Sequence, residues 1–185
     1  MDYWILKYLS DEFNCVEFDL EKILPISNLF DGRVLSSTWE PQPIKFLYRS
    51  RKKGDCPSLH SIPFFSSKAV KVLSEIMGEN VEYLPVTGEA SKFTIVNVIK
   101  LIDALDMEKS ELIYFPDGKI MSKRKIVLRS EKISCTDNIF KLIEFPRTSV
   151  IVSDNFKDAV EKAGLKGFAF EKVEISWYFL PYKLK

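Results

Sequence analysis

Pro63-Phe64-Phe65-Ser66-Ser67 opens a stretch that runs through apolar positions Ala69, Val70, Leu73, Ile76 and Met77 to Gly78, then into Val81-Glu82-Tyr83-Leu84-Pro85-Val86. The same order returns later in the chain. Val150-Ile151-Val152 leads to Ser153-Asp154, apolar residues follow at Phe156, Ala159, Val160 and Ala163, Gly164 comes next, and Gly167-Phe168-Ala169-Phe170-Glu171-Lys172-Val173 closes it. In each copy the apolar spacing makes one stripe on a helix. Ser66 or Ser67, and Ser153 or Asp154, stand where a side-chain oxygen takes up an orphan amide of the first turn, and Gly78 and Gly164 suit the residue that stops a helix. These serines are read as caps before any chemistry is assigned to them. Each copy reads as strand, capped short helix, glycine stop, strand.

Working outward, Tyr3 to Leu9 and Phe13 to Leu20 have the aromatic and β-branched richness of strands, with Ser10-Asp11-Glu12 as a turn between them. From Glu21 to Pro63 five prolines and two glycines predict mostly irregular chain, with Ile44 to Tyr48 as its best strand. Such a long connection is either a partner-facing surface or a packed wrap held by Phe30, Leu35 and Trp39. Residues 96–106 fit a strand or a helix face equally. Leu112 to Phe115, Pro116-Asp117-Gly118 and Ile120 to Leu128 predict a hairpin, because Asp-Gly tolerates positive φ angles. Ile139 to Phe145 adds a strand, and the aromatic tail Ile175 to Leu184, with Trp177 and Tyr178, is expected to dock on the body. The expected fold is α+β, a mostly antiparallel sheet with a few short helices and two strand–helix–strand units, in a single domain over residues 1–185.

Composition narrows the function. At 185 residues, 46% hydrophobic and a formal net charge of +1, the chain can bury a core and carries no global field for nucleic acid or an anionic membrane. The N-terminus lacks a basic segment followed by a long apolar one, and no apolar run approaches the roughly 20 residues of a membrane span. The three cysteines, Cys15, Cys56 and Cys135, are widely spaced and odd in number, which suits reduced thiols in a cytoplasm rather than a disulfide framework.

Candidate chemistry is sparse. His60 is the one histidine, and with Cys56 it has the spacing of a thiolate pair or half a zinc site, but the second half is missing, so no metal is expected. Asp103 and Asp106 would share a helix face as paired carboxylates, whereas Asp106 before Met107-Glu108-Lys109-Ser110 also suits a turn or helix start. The basic runs, residues 49–53 and 119–129, are candidates for phosphate contacts or else solvated loop and charged edge strand. No stacking aromatics interleave the cations, which favours the second reading.

A resemblance adds a function. Phe30-Asp31-Gly32 with Trp39-Glu40-Pro41, the Pro-Phe-Phe-Ser-Ser helix ending in Val81 to Val86, Asn97-Val98 leading to Asp103-Ala104-Leu105-Asp106 and Ser110, Ile139 to Leu142, and Val150 to Asp154 through Gly164 to Phe170 occur in an order that resembles the α+β immunity proteins of bacterial polymorphic toxin systems. The likeness covers about residues 28–173. It implies a cytoplasmic antidote that binds a cognate toxin and blocks it, with no catalysis and no cofactor. The family-pattern positions are Trp39, Pro85, Asp106, Ser110 and Gly167, each open to a role in the fold or in contact. The chain departs from the pattern in an aromatic extension over residues 174–185 and a basic insert at Arg49 to Lys53. Tyr48, Arg49 and Arg51, in the irregular region, are the residue types favoured at binding hot spots and are the candidate partner contacts. Trp39 is expected to pack over Phe30 or the N-terminal strands. A nucleic-acid module using the two basic runs and a small enzyme using Asp103 and Asp106 are the competing readings. The near-neutral charge argues against a strongly basic nuclease as the target.

Overall fold

The computed structural model of the protein describes residues 1–18, 26–48, 50–59 and 61–176. Arg49, His60 and the tail from Trp177 onward lie outside the described residues.

Both helices form where the apolar stripes place them. Helix α1 spans Ser67–Met77 and buries Ala69, Leu73 and Met77; α2 spans Asp154–Lys162 and buries Phe156 and Val160. Of the paired cap candidates, Ser66 and Ser153 do the capping: the Ser66 Oγ accepts from the Ala69 amide at 3.1 Å and the Ser153 Oγ from the Phe156 amide at 3.4 Å. Each hydroxyl also donates to a neighbouring segment, Ser66 to Asp55 and Ser153 to Asn138, both at 2.7 Å. The caps therefore fix loops as well as helix ends.

Thirteen strands accompany the two α-helices among the described residues. They are β1 (Tyr3–Tyr8), β2 (Val16–Phe18), β3 (Gln42–Phe46), β4 (Phe64–Ser66), β5 (Val81–Thr87), β6 (Phe93–Val98), β7 (Leu101–Ile102), β8 (Glu111–Tyr114), β9 (Ile120–Lys125), β10 (Val127–Arg129), β11 (Ile139–Leu142), β12 (Ile151–Ser153) and β13 (Phe168–Ser176). Six make one sheet in the order β10-β13-β1-β12-β11-β7, five another in the order β2-β3-β5-β6-β4, and β8 pairs with β9 alone.

The α+β expectation, a mostly antiparallel sheet with strand–helix–strand units, is thereby corrected. The protein is mostly β, and both large sheets are mixed, since β10 runs parallel to β13, β7 to β11 and β3 to β5. Neither helix joins two neighbouring strands. Strand β6 lies antiparallel between β4 and β5, and β1 antiparallel between β12 and β13. The physical reason is that apolar alternation marks a strand's two faces and says nothing of which segment fills the slot beside it. In the second case that slot is filled by the chain's own N-terminus.

The core falls into three clusters. The central one takes Leu6, Val152 and Phe168 from the six-stranded sheet, Phe65, Val96 and Val98 from the five-stranded sheet, and the buried faces of both helices. Phe65 sits among the rings of Phe168, at a centroid distance of 5.2 Å, and Phe156, at 6.4 Å. Strand alternation then sends Leu84, Ile95, Phe64 and Ile44 to the opposite face of the five-stranded sheet, where Phe30, Leu35 and Trp39 cover them. Residues 28–39 are thus a packed wrap. Tyr3, Ile5, Phe140 and Ile151 build the third cluster on the far face of the six-stranded sheet, beneath Leu105, Ile126 and Leu128.

Residues 96–106 form no helix: β6 ends at Val98, β7 takes Leu101–Ile102, and Leu105 makes an isolated bridge to Leu128. The hairpin forms around Gly118, whose φ is +83°. Its second arm is shorter than the continuous run suggests, because β10 leaves it to join β13. Glu174 to Ser176, at the start of the predicted extension, pair with Val127 to Arg129 in that junction.

Candidate functional site

The loop after β3 is held from within by Asn14, which is 1% exposed. Its Oδ1 accepts the Tyr48 amide at 2.9 Å and its own amide donates to the Lys52 carbonyl at 2.8 Å, while Leu47 N–H reaches the Cys15 carbonyl at 2.9 Å. Both sides of the loop are therefore tied to the segment before β2. On this frame Tyr48 is 46% exposed and Leu47 42%. The Arg51 guanidinium lies 4.2 Å from the Tyr48 ring centroid and donates from Nη1 to the Ser10 carbonyl. Tyr48 and Arg51 are thus brought together as a stacked aromatic–cation pair at the surface. Lys53 stands over the Phe46 ring at 5.1 Å.

The other candidates have internal partners. Cys56 is 1% exposed, and burial pushes its thiol well above the ordinary range, which keeps it protonated. Asp103 and Asp106 do not share a helix face, because the chain is extended before them and turns after. Asp103 pairs with Arg129 at 2.8 Å, and the buried Asp106 accepts the Glu108 and Lys109 amides at 3.2 and 3.1 Å, which is the turn reading. Among the described residues, no group of three or more histidine, cysteine or acidic side chains is placed to hold a metal. No helix among them is long and apolar enough to cross a membrane.

The second basic run is mostly engaged inside the molecule. Lys119 pairs with Asp117 at 3.1 Å and Lys125 with Glu174 at 2.8 Å. Lys123 lies 4.2 Å from the Phe145 ring centroid and donates to the Thr148 hydroxyl at 3.2 Å; burial pushes its pKa down to about 8. Such an arrangement does not present a row of free cations to a phosphate backbone.

All five family-pattern positions make contacts that hold the fold. Trp39 donates from Nε1 to the Pro85 carbonyl at 2.8 Å and meets Phe30 edge-on at 5.9 Å. The Ser110 amide donates to the Asp106 carbonyl at 2.9 Å, and the Ser110 hydroxyl accepts the Val127 amide at 2.9 Å. Gly167 has φ +91°, and a Cβ there would lie 3.1 Å from the Cys56 carbonyl oxygen. Replacing Trp39 with alanine is expected to cost about 2–3 kcal/mol, less than for a fully buried aromatic because the indole is only half-buried. Chemical denaturation measures this, and an unchanged midpoint would contradict the packing role.

Sequence patterns gave no sign of the buried polar groups that join the two sheets. Lys141 on β11 is 2% exposed and its Nζ donates to the Phe30 carbonyl at 2.7 Å. Burial lowers its pKa to about 8, with Asp31 acting weakly in the opposite sense. Because the unfolded chain holds this proton up to the ordinary value of 10.5, folding stability must rise with pH between about 8 and 10.5. Relative to Lys141→Met, the wild type is expected to gain up to about 3 kcal/mol across that window and nothing below it. Urea titrations of both proteins at a series of pH values read the difference, and a flat difference would refute the assignment.

With this geometry in view, comparison with known proteins supplies the class. The model of the Immunity protein family (Imm11) matches residues 41–175, and the chain belongs to this family. Membership points to a toxin-neutralising immunity function and hence to a toxin as partner; the family is generally non-catalytic. No curated protein matches the chain.

Proposed function

We propose that the protein is a cytoplasmic antidote that binds one cognate toxin and blocks it by occupying its surface, without chemistry of its own. The observation that carries this reading, beside family membership, is the Tyr48–Arg51 pair. A solvent-facing aromatic stacked on a guanidinium, on a loop fixed by a buried asparagine, presents a contact that loses little conformational entropy on binding. Arg49 adjoins it in sequence and belongs to the same proposed face, drawn from residues 40–62. The alternatives have weaker support, since the Cys56 thiol is buried, Asp103 and Asp106 are bound to their own neighbours, and most cations of residues 119–129 are engaged internally.

The test is co-expression with the toxin encoded by the neighbouring reading frame. Tyr48→Ala combined with Arg49→Ala leaves the Arg51 anchor to Ser10 in place. It is expected to preserve the melting temperature while weakening toxin binding about tenfold or more and reducing rescue of growth. Full rescue with unchanged affinity would move the interface elsewhere on the protein.

A further inference from the structure

The β8–β9 hairpin has no place in either large sheet. Among the described residues strand β8 pairs with β9 and with no other strand, so they leave the backbone donors and acceptors of its far edge unpaired. An open groove follows β8 along its whole length, Glu111 to Tyr114, begins at Met107 and Ser110, and takes only Arg124 from β9. Large apolar side chains are exposed along the hairpin: Met107 and Tyr114, which line the groove, and Phe115 and Met121, near the turn, are each 47–50% exposed. A solvated hairpin tip ordinarily carries polar residues, and an unpaired edge is ordinarily blunted by charge or proline. Here the Asp-Gly turn is preceded by Tyr114-Phe115, Pro116 falls after β8 rather than within it, and the strand's one charge is Glu111 at its start.

Charge narrows the occupant. Strand β9 carries Lys123, Arg124 and Lys125 and no acid. Lys125 is paired with Glu174, and Lys123 is turned onto Phe145 and Thr148. Arg124 has no ion pair among the described residues, is exposed, and lines the groove. The groove's two charges are Glu111 on β8 and the unpaired Arg124 guanidinium, set among the exposed side chains of Met107 and Tyr114, so a carboxylate of the occupant fits only at the Arg124 end, with apolar side chains beside it. The groove is a poor match for a nucleic-acid backbone, which needs a row of cations.

We propose that the free edge of β8 captures an extended segment of the toxin as an added strand, with an acidic side chain of that segment on Arg124 and apolar ones on Tyr114 and Met107. This contact rests on the antidote reading and is separate from the Tyr48–Arg51 face. Backbone pairing along β8 supplies affinity, while the side chains on either side of the groove select the segment.

The experiment uses the whole protein and the purified toxin of the neighbouring reading frame. Arg124→Glu with Tyr114→Ala changes two exposed side chains, so the thermal midpoint should stay put while the Kd rises about thirtyfold or more. Hydrogen exchange should show those amides of residues 111–114 that face away from β9 protected in the complex and open in the free protein. A Kd within about threefold of wild type, with those amides unprotected, would overturn the proposal; loss of binding in the Tyr48→Ala variant alone would then leave the antidote reading standing. Failure of the wild-type protein to bind the toxin would remove both readings. A free protein that dimerises until Arg124 and Tyr114 are changed, or that binds a single-stranded oligonucleotide through Arg124, would also overturn it, by assigning the edge to a second copy or to nucleic acid.

Discussion

Phe65→Ala should destabilise the protein by about 4 kcal/mol, the largest effect expected of a single side chain here. Phe65 is fully buried on β4, against the rings of Phe156 from α2 and Phe168 from β13. It is the point at which the five-stranded sheet, the six-stranded sheet and both helices share one cluster. A cavity there is walled by elements whose backbones are fixed in two separate hydrogen-bond ladders, so little collapse can refill it. For a chain of this size about 4 kcal/mol corresponds to a drop in melting temperature of roughly 8–16 °C. Calorimetry on Phe65→Ala beside Phe115→Ala is the measurement. Phe115 is 48% exposed on the hairpin, and its truncation should leave stability within about 0.5 kcal/mol. Equal shifts for the two would mean that the central cluster is not the keystone of the fold.

The second large effect belongs to Glu82. Its carboxylate accepts the Leu35 amide at 2.7 Å and the Ser36 amide at 3.0 Å, and Oε2 also takes the Asn97 Nδ2 at 2.9 Å. Asn97 is fully buried and donates further to the Arg33 carbonyl at 2.9 Å. One carboxylate on β5 thus pins the wrap over residues 33–36 to the five-stranded sheet. Glu82→Ala leaves the buried Leu35 amide and part of Asn97 without a partner and is expected to cost about 3 kcal/mol; Glu82→Gln, which keeps one acceptor oxygen, should cost about half as much. Burial acts to raise the Glu82 pKa, but the hydrogen bonds from Ser36, Leu35 and Asn97 outweigh it, and the net shift is downward from 4.5. The stabilisation is therefore fully present above that ordinary value and is lost as pH falls through the lower folded-state value. Acid titration of wild type and Glu82→Gln should show the two stabilities converging below about pH 4.5. Parallel curves would rule out Glu82 as the acid-sensitive clasp.

Much of this arrangement was legible before any coordinates. Apolar spacing located both helices, and Ser66, Ser153, Gly78 and Gly164 marked their ends, because capping is a matter of a few consecutive residues. Asp117-Gly118 announced the hairpin for the same reason. The order of short motifs pointed to an immunity family, and the family match over residues 41–175 agrees with it. Fold class was misjudged, since pairing partners are not local. The tie of Tyr48 to Asn14, and the reach of Lys141 to Phe30 across 111 positions of sequence, left no periodic trace. A signal for the hairpin surface was present in Tyr114-Phe115, an aromatic pair directly before a turn. Its meaning depended on finding β8 unpaired.

By itself, the sequence determined where the chain turns and which faces of its helices are apolar, because these depend on neighbours within a turn or two, and that its charges nearly cancel, because that depends on composition alone. The tertiary structure alone decided that β1 would lie between β12 and β13, that Asp103 would pair with Arg129, and that Arg124 would stand exposed while the cations beside it found partners. Those outcomes follow from chain closure. Segments far apart in sequence meet only when both sheets close over the central cluster, and a side chain is paired or left free according to what arrives opposite it.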